Sequence, residues 1–293
     1  MLTASQVRHS FVGRGVRRVI HFIYQMQHPA GRPVEYHLPG GVNLQLYPEG
    51  EVAEFLAFPR LFERTELELV RACLRPGMQV IDVGSNIGLY SILADKLVGE
   101  GGKVWAIEPS GETAERLQRN LSLNGCNRVQ LTQTALSDET DTFLTLKSDH
   151  GFGDAYRYLL PSKGAVASDG GQTELVPVTT LDRWAAENGV TKVDFLKVDI
   201  EGGEFRMFRG AQEVLKANKD ILILFENEAD WCRRAGCTQQ DTFDLLRSLG
   251  FEIFTWDTRT NQWTADPTSL LKAGMIWACT DQQKLPQLRK DNS

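Results

Sequence analysis

Three observations predict an open α/β fold whose sheet is parallel over most of its strands. An apolar run reaches an acid and turns through two glycines into helix-spaced apolar residues (Val80-Ile81-Asp82-Val83-Gly84-Ser85-Asn86-Ile87-Gly88-Leu89-Tyr90). A second run, Lys103-Val104-Trp105-Ala106-Ile107, stops on Glu108-Pro109, and a third, over residues 193–200, stops on Asp199-Ile200-Glu201-Gly202. Short apolar strands alternating with helical periods build strand-helix-strand units, and ligands of such sheets sit outside the carboxyl ends of the strands. Asp82, Glu108, Asp199 and Glu201 are therefore expected to face one crevice.

The 293 residues suffice for one large domain with an extension. A net charge of -6 argues against a nucleic-acid backbone as partner. Five scattered cysteines without C-x-x-C spacing suggest thiols in a reducing compartment, with no disulfide framework and no zinc site. No apolar run is long enough for an integral membrane span, so the expectation is a soluble, cytoplasmic protein.

Taken in order, residues 1–30 place Arg8, Arg14, Arg17 and Arg18 among Phe11, Val19, Ile20 and Phe22. This basic amphipathic pattern reads first as a helix packed across the main domain, and second as a peripheral membrane contact. Alternation over 34–46, broken by Pro39-Gly40-Gly41, predicts a hairpin, and a helix follows to about Leu74. The division expected is an N-terminal helix and hairpin extension over 1–66, a main domain over 67–284 and a polar tail over 285–293.

The glycine turn is of nucleotide-binding type. Gly84 permits a sharp turn and a close ligand, and Glu108, at the end of the next strand, suits the two hydroxyls of a ribose. The dinucleotide pattern G-x-G-x-x-G lacks its middle glycine here, and Asp82 beside the turn suits an ammonium better than a phosphate. The ligand that joins an adenosine ribose to an ammonium without phosphate is S-adenosylmethionine, so methyl transfer is the leading expectation.

Beyond Glu108, Ser110 should cap a helix that ends at Asn124-Gly125, and 129–133 is a strand, which leaves Thr134-Ala135-Leu136-Ser137-Asp138 beside the adenine. Residues 148–171 interleave glycines with His150, Phe152, Tyr156 and Tyr158, as a substrate cover would. A short strand over 176–179 and a helix capped by Thr180 precede the 193–200 strand. One helix with Phe205, Phe208, Ala211 and Leu215 on a face follows, with Glu204 in its first turn for the helix dipole. A buried strand over 221–226, a helix over 239–248 and strands over 251–256 and 275–279 complete the chain, the last two suggesting an antiparallel edge.

Five blocks together resemble the FkbM family of S-adenosylmethionine-dependent methyltransferases: Val80 through Gly88, Ile107-Glu108-Pro109-Ser110, Ala135-Leu136-Ser137-Asp138, Val178-Thr179-Thr180-Leu181-Asp182, and Asp194 through Gly202. The resemblance spans about residues 67–256. It implies a Rossmann-like class I methyltransferase fold with a seven-stranded sheet, and O-methylation of a hydroxyl on a sugar, polyketide or other secondary metabolite. It also implies that Gly84, Ser85 and Gly88 line the methionine and ribose, that Glu108 holds the ribose hydroxyls, and that Asp199 faces the methionine end or the acceptor.

The full candidate cofactor set is Asp82, Gly84, Ser85, Asn86, Gly88, Glu108, Pro109, Ala135, Leu136 and Asp199. Family members often carry a histidine shortly after the strand that ends in glutamate; here Glu226 is followed by Asn227 and Glu228. The proton of an acceptor hydroxyl must then go to His150, Glu201 or Glu228, with Asp199 positioning the base. Alternatively Asp199, Glu226 and Asn227 offer oxygen ligands to magnesium. Competing readings are methyl-ester formation on a carboxylate, which needs no base, and a cofactor-binding scaffold without catalysis. A nicotinamide dehydrogenase is weakened by the missing glycine, and nucleic-acid methylation by the absence of an N-P-P-[YF] turn.

Overall fold

The computed structural model describes Met26 and residues 32–38, 40–47, 64–148, 157–160 and 172–288. The basic segment over residues 8–24, His150 and the end of the polar tail lie outside the described residues. No helix among the described residues is long and apolar enough to cross a membrane.

Strands β1 (Val34–Leu38) and β2 (Val42–Leu46) form the expected antiparallel hairpin. Helix α1 (Arg64–Cys73) leads into the alternating core: β3 (Gln79–Val83), α2 (Leu89–Val98), β4 (Lys103–Ile107), α3 (Gly111–Leu123) and β5 (Gln130–Thr132). A second set follows, β6 (Ala135–Leu136), β7 (Thr142–Ser148), β8 (Arg157–Leu159) and β9 (Thr173–Thr179). The chain then gives α4 (Leu181–Glu187), β10 (Phe195–Val198), α5 (Glu204–Arg209), α6 (Gln212–Ala217), β11 (Leu222–Glu226), α7 (Ala229–Arg234) and α8 (Gln239–Ser248). It closes with β12 (Glu252–Asp257), β13 (Gln262–Thr264), α9 (Pro267–Leu270) and β14 (Met275–Cys279).

The main sheet has the order β13-β12-β14-β11-β10-β3-β4-β5. Strands β11 to β5 run parallel, and β14 enters antiparallel between β11 and β12. Eight strands thus stand where seven are expected, and the last strand is inserted, with β13 forming the antiparallel edge. Composition explains the choice. Ile276, Trp277 and Ala278 are buried on both faces of β14, as an interior strand requires, whereas the polar, part-exposed Gln262–Thr264 tolerates the rim.

Side chains alternate between two cores. On one face Val80, Phe195, Leu222 and Leu224 meet α1, α2, α3 and the hairpin; on the other Ile81, Val83, Leu196, Val198, Ile223 and Phe225 meet α4, α5, α6 and α8. Phe225 packs edge-on between Phe208 and Phe243, at ring distances of 5.4 and 6.4 Å. Helix α2 is buried around most of its circumference because β2 covers the side turned from the sheet. The single helix expected after Glu204 is instead broken into α5 and α6. A Cβ on Gly210 would sit 2.1 Å from the Ser137 carbonyl, so the chain passes too close to the end of β6 to continue as a regular helix.

A second sheet, ordered β6-β9-β7-β8, stands beside the first, and only its 176–179 strand is expected from the sequence. Leu144, Leu146, Val176 and Val178 form its inner face and a small core of their own.

Two asparagines one turn apart, Asn120 on α3 and Asn124 at its C-cap, hold the hairpin. Asn124 accepts from Asn43 N (2.9 Å) and donates to Asn43 O (2.6 Å), while Asn120 accepts from Gln45 N (2.7 Å) and donates to Ile87 O (2.9 Å). Asn120 is fully buried, so no water replaces these bonds when its amide is removed. Asn120→Ala should lower the unfolding free energy by about 2–3 kcal/mol, since each buried orphaned group costs about 1–3 kcal/mol. Denaturant melts of the two proteins measure the difference, and equal midpoints would remove the clamp from the stability argument.

Candidate functional site

Register explains why the site residues meet. Ile107, Val83, Val198 and Phe225 stand level on adjacent parallel strands. The residue after each is therefore Glu108, Gly84, Asp199 and Glu226: the first three leave the sheet at one level, and Glu226, the last residue of β11, stands beside them. With strands about 4.8 Å apart, this row spans roughly 14 Å.

At its centre, Gly84 has φ +72° and its missing Cβ would lie 1.9 Å from the Asp199 carbonyl. Gly88 is demanded by packing: at φ +97°, an added Cβ would meet Leu117 Cδ1 at 2.4 Å. The Ser85 hydroxyl donates to Asp82 O (2.6 Å) and accepts from Ile107 N (2.9 Å), so it fastens the turn to the sheet and is turned to backbone. Asn86 sits at φ +47°, and its buried Oδ1 has no hydrogen-bond partner among the described residues.

Glu108 is 6% exposed and accepts from Ser110 N through Oε1 and from Asn86 N through Oε2, both at 3.0 Å. Each oxygen keeps a lone pair, enough for two ribose hydroxyls. Burial pushes its carboxyl up to about 7, against the pull of the two backbone N–H groups. Pro109 beside it is half-buried.

Asp82 is 1% exposed, and its Oδ2 accepts from Ser91 Oγ at 2.6 Å. The ammonium facing it within the chain is that of Lys197, 3.7 Å from Oδ1. Burial raises the Asp82 carboxyl, opposed by Lys197 and Ser91. Lys197 Nζ also lies 3.2 Å from Asp199 Oδ2, 3.5 Å from Gly84 O and 4.7 Å from the Tyr90 ring centre. The sequence reading did not single out this lysine, although a lysine within the apolar strand Phe195-Leu196-Lys197-Val198 is the signal that could have found it.

Toward β11, Asp199, Glu201 and Glu226 each bring a carboxylate oxygen within 4.8 Å of the others. Glu201 holds φ +54°. Glu226 Oε2 makes no hydrogen bond to the described residues, and its carboxyl is raised well above the ordinary range by burial first, then by Glu201 and Asp199. Glu228 adds to that field from the N-cap of α7. Glu204 is buried in the first turn of α5, where it accepts from Ile200 N (2.9 Å); burial and Asp199 push it up to about 8.

The Asn227 amide nitrogen donates to Leu270 O (2.9 Å) and Ala273 O (3.2 Å), which braces the end of α9, and Glu201 stands with Asp199 and Glu226 in the carboxylate group. One expectation needs correction. Ala135 and Leu136 do not offer side chains to the crevice, since Ala135 packs into the small second core and Leu136 into the main one. The following Asp138 is held by Arg206 (2.7 Å) and Arg209 (3.1 Å), which ties this loop to α5.

Strand β8 bridges the two ends of this row. Arg157 reaches Ser110 Oγ and Glu112 (3.1 Å) at the start of α3, and the next residue, Tyr158, packs on Trp231 of α7 at 5.5 Å between rings. Tyr158 was expected in the cover; Arg157 was not, and no local pattern marks it.

The buried acceptor Asn86 Oδ1, the free lone pairs of Glu108 and the bare backbone at Gly84 fit an adenosyl amino acid, whereas the ammonium facing Asp82 is the chain's own Lys197. A row of carboxylates does not fit a pyrophosphate.

The chain is 25% identical over 276 residues to the AMB antimetabolite synthetase AmbE of Pseudomonas aeruginosa, an alignment covering 81% of this chain but only 12% of that protein. It is 31% identical over 199 residues to the 31-O-demethyl-FK506 methyltransferase FkbM of Streptomyces tacrolimicus, covering 60% of this chain and 75% of that one. It is 23% identical over 189 residues to the 2-O-methyltransferase NoeI of Sinorhizobium fredii, covering 61% and 75%. The family described as "Methyltransferase FkbM domain" matches residues 82–253, from the acid before the glycine turn to β12. With the crevice built as described, the chain belongs to the FkbM family of S-adenosylmethionine-dependent methyltransferases.

Proposed function

We propose that this methyltransferase acts on a hydroxyl of an uncharged or cationic small molecule, such as a sugar, a polyketide or another secondary metabolite. The carrying observation is the convergence of Asp199, Glu201 and Glu226 within 4.8 Å at the strand ends next to the cofactor turn. Like charge at the acceptor side repels a carboxylate acceptor, which disfavours methyl-ester formation, and it supplies a hydroxyl with a proton acceptor. The relatives whose printed names specify oxygen methylation support the same reading.

In this reading Glu108 and Asn86 hold the adenosine ribose, and Asp199, backed by Lys197, faces the amino-acid end. When bound, S-adenosylmethionine supplies a methyl group on a positively charged sulfur, aligned for in-line displacement. Glu226 in its ionised form receives the hydroxyl proton; burial and the neighbouring acids raise its carboxyl, so the step speeds up as pH rises and Glu226 ionises. Tyr158 and Trp231 keep water from that end of the crevice.

The same three carboxylates favour a second reading, in which they hold magnesium through hard oxygen ligands. Chelation separates the two: turnover that survives EDTA belongs to the base, and turnover restored only by magnesium belongs to the cation.

Two outcomes are expected. Glu226→Gln should slow turnover by about 10²–10⁴-fold, the usual contribution of a general base, with S-adenosylmethionine affinity unchanged by isothermal titration; an unaltered rate would return Glu226 to a structural role. Glu108 accepts ribose hydroxyls best when ionised, and its carboxyl stands at about 7. Affinity for S-adenosylmethionine should therefore rise with pH up to about 7 and level off above it, by up to about tenfold per pH unit on the rising side. Glu108→Gln should bind more weakly and flatten the profile, and a profile as steep as the wild type's would remove Glu108 from the ribose site.

A further inference from the structure

Helix α7 ends in a Schellman closure. Gly236, at φ +80°, reverses the chain; its N–H reaches Arg233 O (3.2 Å), and the Cys237 N–H reaches Cys232 O (3.0 Å). These are the paired bonds of that motif, which brings the side chains at its two ends together, usually as an apolar contact. Here both ends are cysteines. The Cys237 thiol is turned back onto Cys232, its Sγ 3.4 Å from Cys232 O.

The two thiols differ in access and acidity. Cys232 is 5% exposed, whereas Cys237 is half-buried. Interaction with Cys232 lowers the Cys237 thiol below its ordinary value, and the same interaction, together with burial, raises Cys232. One reactive, reachable sulfur beside one protected sulfur is the division of labour of an attacking and a resolving cysteine.

We propose that Cys232 and Cys237 form a redox-active dithiol, a modification site that closes to a disulfide across the α7 cap when a low-molecular-weight disulfide such as oxidised glutathione is in excess. The Cys237 thiolate attacks one sulfur of the oxidant, the oxidant's S–S bond breaks, and one glutathione leaves. Cys232 loses its proton to solvent and attacks the Cys237 sulfur of the mixed disulfide, which expels the second glutathione. Two protein thiols are oxidised and one glutathione disulfide is reduced to two thiols. The backbone bond between the two residues (3.0 Å) and the contact of Cys237 Sγ with Cys232 O (3.4 Å) keep both cysteines at one end of the cap.

The site is independent of the acceptor reading, though it adjoins the same carboxylates: Glu204 and Glu226 both bear on Cys232. It also bears on the Glu201-Gly202 turn, since a Cβ on Gly202 would meet the Trp231 carbonyl at 2.5 Å.

The test uses the full chain, reduced, desalted and equilibrated across a series of reduced and oxidised glutathione ratios, then alkylated and cut with trypsin. Cleavage after Arg233 and Arg234 separates the two cysteines, so their peptides stay joined only through the disulfide. Alkylatable thiols should fall from five to three as the oxidant rises, with the joined peptide appearing in step. Cys237→Ser and Cys232→Ser should each abolish the joined peptide. Five alkylated thiols at every ratio, a glutathione adduct that persists on Cys237, or pairing with another cysteine would overturn the proposal.

Discussion

The fold turns on a single close approach, that of Gly84 to the carbonyl of Asp199. No side chain fits between the end of β3 and the end of β10, with a Cβ only 1.9 Å from that oxygen. This contact fixes the level at which adjacent strands release their chains, and so it aligns Glu108, Asp199 and Glu226 along one rim. Lys197 makes the approach tolerable. Its ammonium, 3.2 Å from Asp199, gains about 5 kcal/mol of attraction at an effective dielectric near 20. That is comparable to the several kcal/mol lost in desolvating each ion. The net stabilisation is small, and the value of the arrangement lies in holding two carboxylates, Asp82 and Asp199, against one cation.

The rim is divided by chemistry. Toward β4 and β5, each oxygen of Glu108 already accepts a backbone N–H and keeps a further lone pair, which suits neutral hydroxyl donors. Toward β11, the carboxylates crowd one another with fewer donors near them, so protons bind more tightly there. Strand β8 spans both halves through successive residues whose side chains point to opposite sides, Arg157 to Ser110 and Tyr158 to Trp231.

Much of this was legible in the sequence because it follows from local rules. The glycine turn, the Ser110 and Thr180 caps and the hairpin are each written in a few neighbouring residues, and the cap bonds are present. The acids at the strand ends were readable for the same reason, since a strand's end and its next residue are adjacent in the chain. What escaped depends on pairs distant in sequence. Leu144 and Leu146 alternate as plainly as any strand, but Phe143 and Leu175 are apolar on the outer face and blur the period. The Asn227 amide nitrogen meets the carbonyls of Leu270 and Ala273, more than forty residues on, which nothing near Asn227 in the sequence announces. Arg157 and the break after Arg209 likewise have causes in other segments, Ser110 and Ser137.

The asparagine clamp on α3 has a consequence for how the molecule is partitioned. Asn120 and Asn124 meet β2 along its open edge much as a neighbouring strand would, so a helix completes a sheet. Through the same Asn120 amide the hairpin is joined to the carbonyl of Ile87, inside the glycine turn. The stretch that carries the family pattern begins at residue 82, yet the turn within it is braced by residues some forty positions earlier. The smallest piece able to hold the turn in its working shape is therefore larger than the piece that homology outlines, and the hairpin behaves as part of the binding site's foundation.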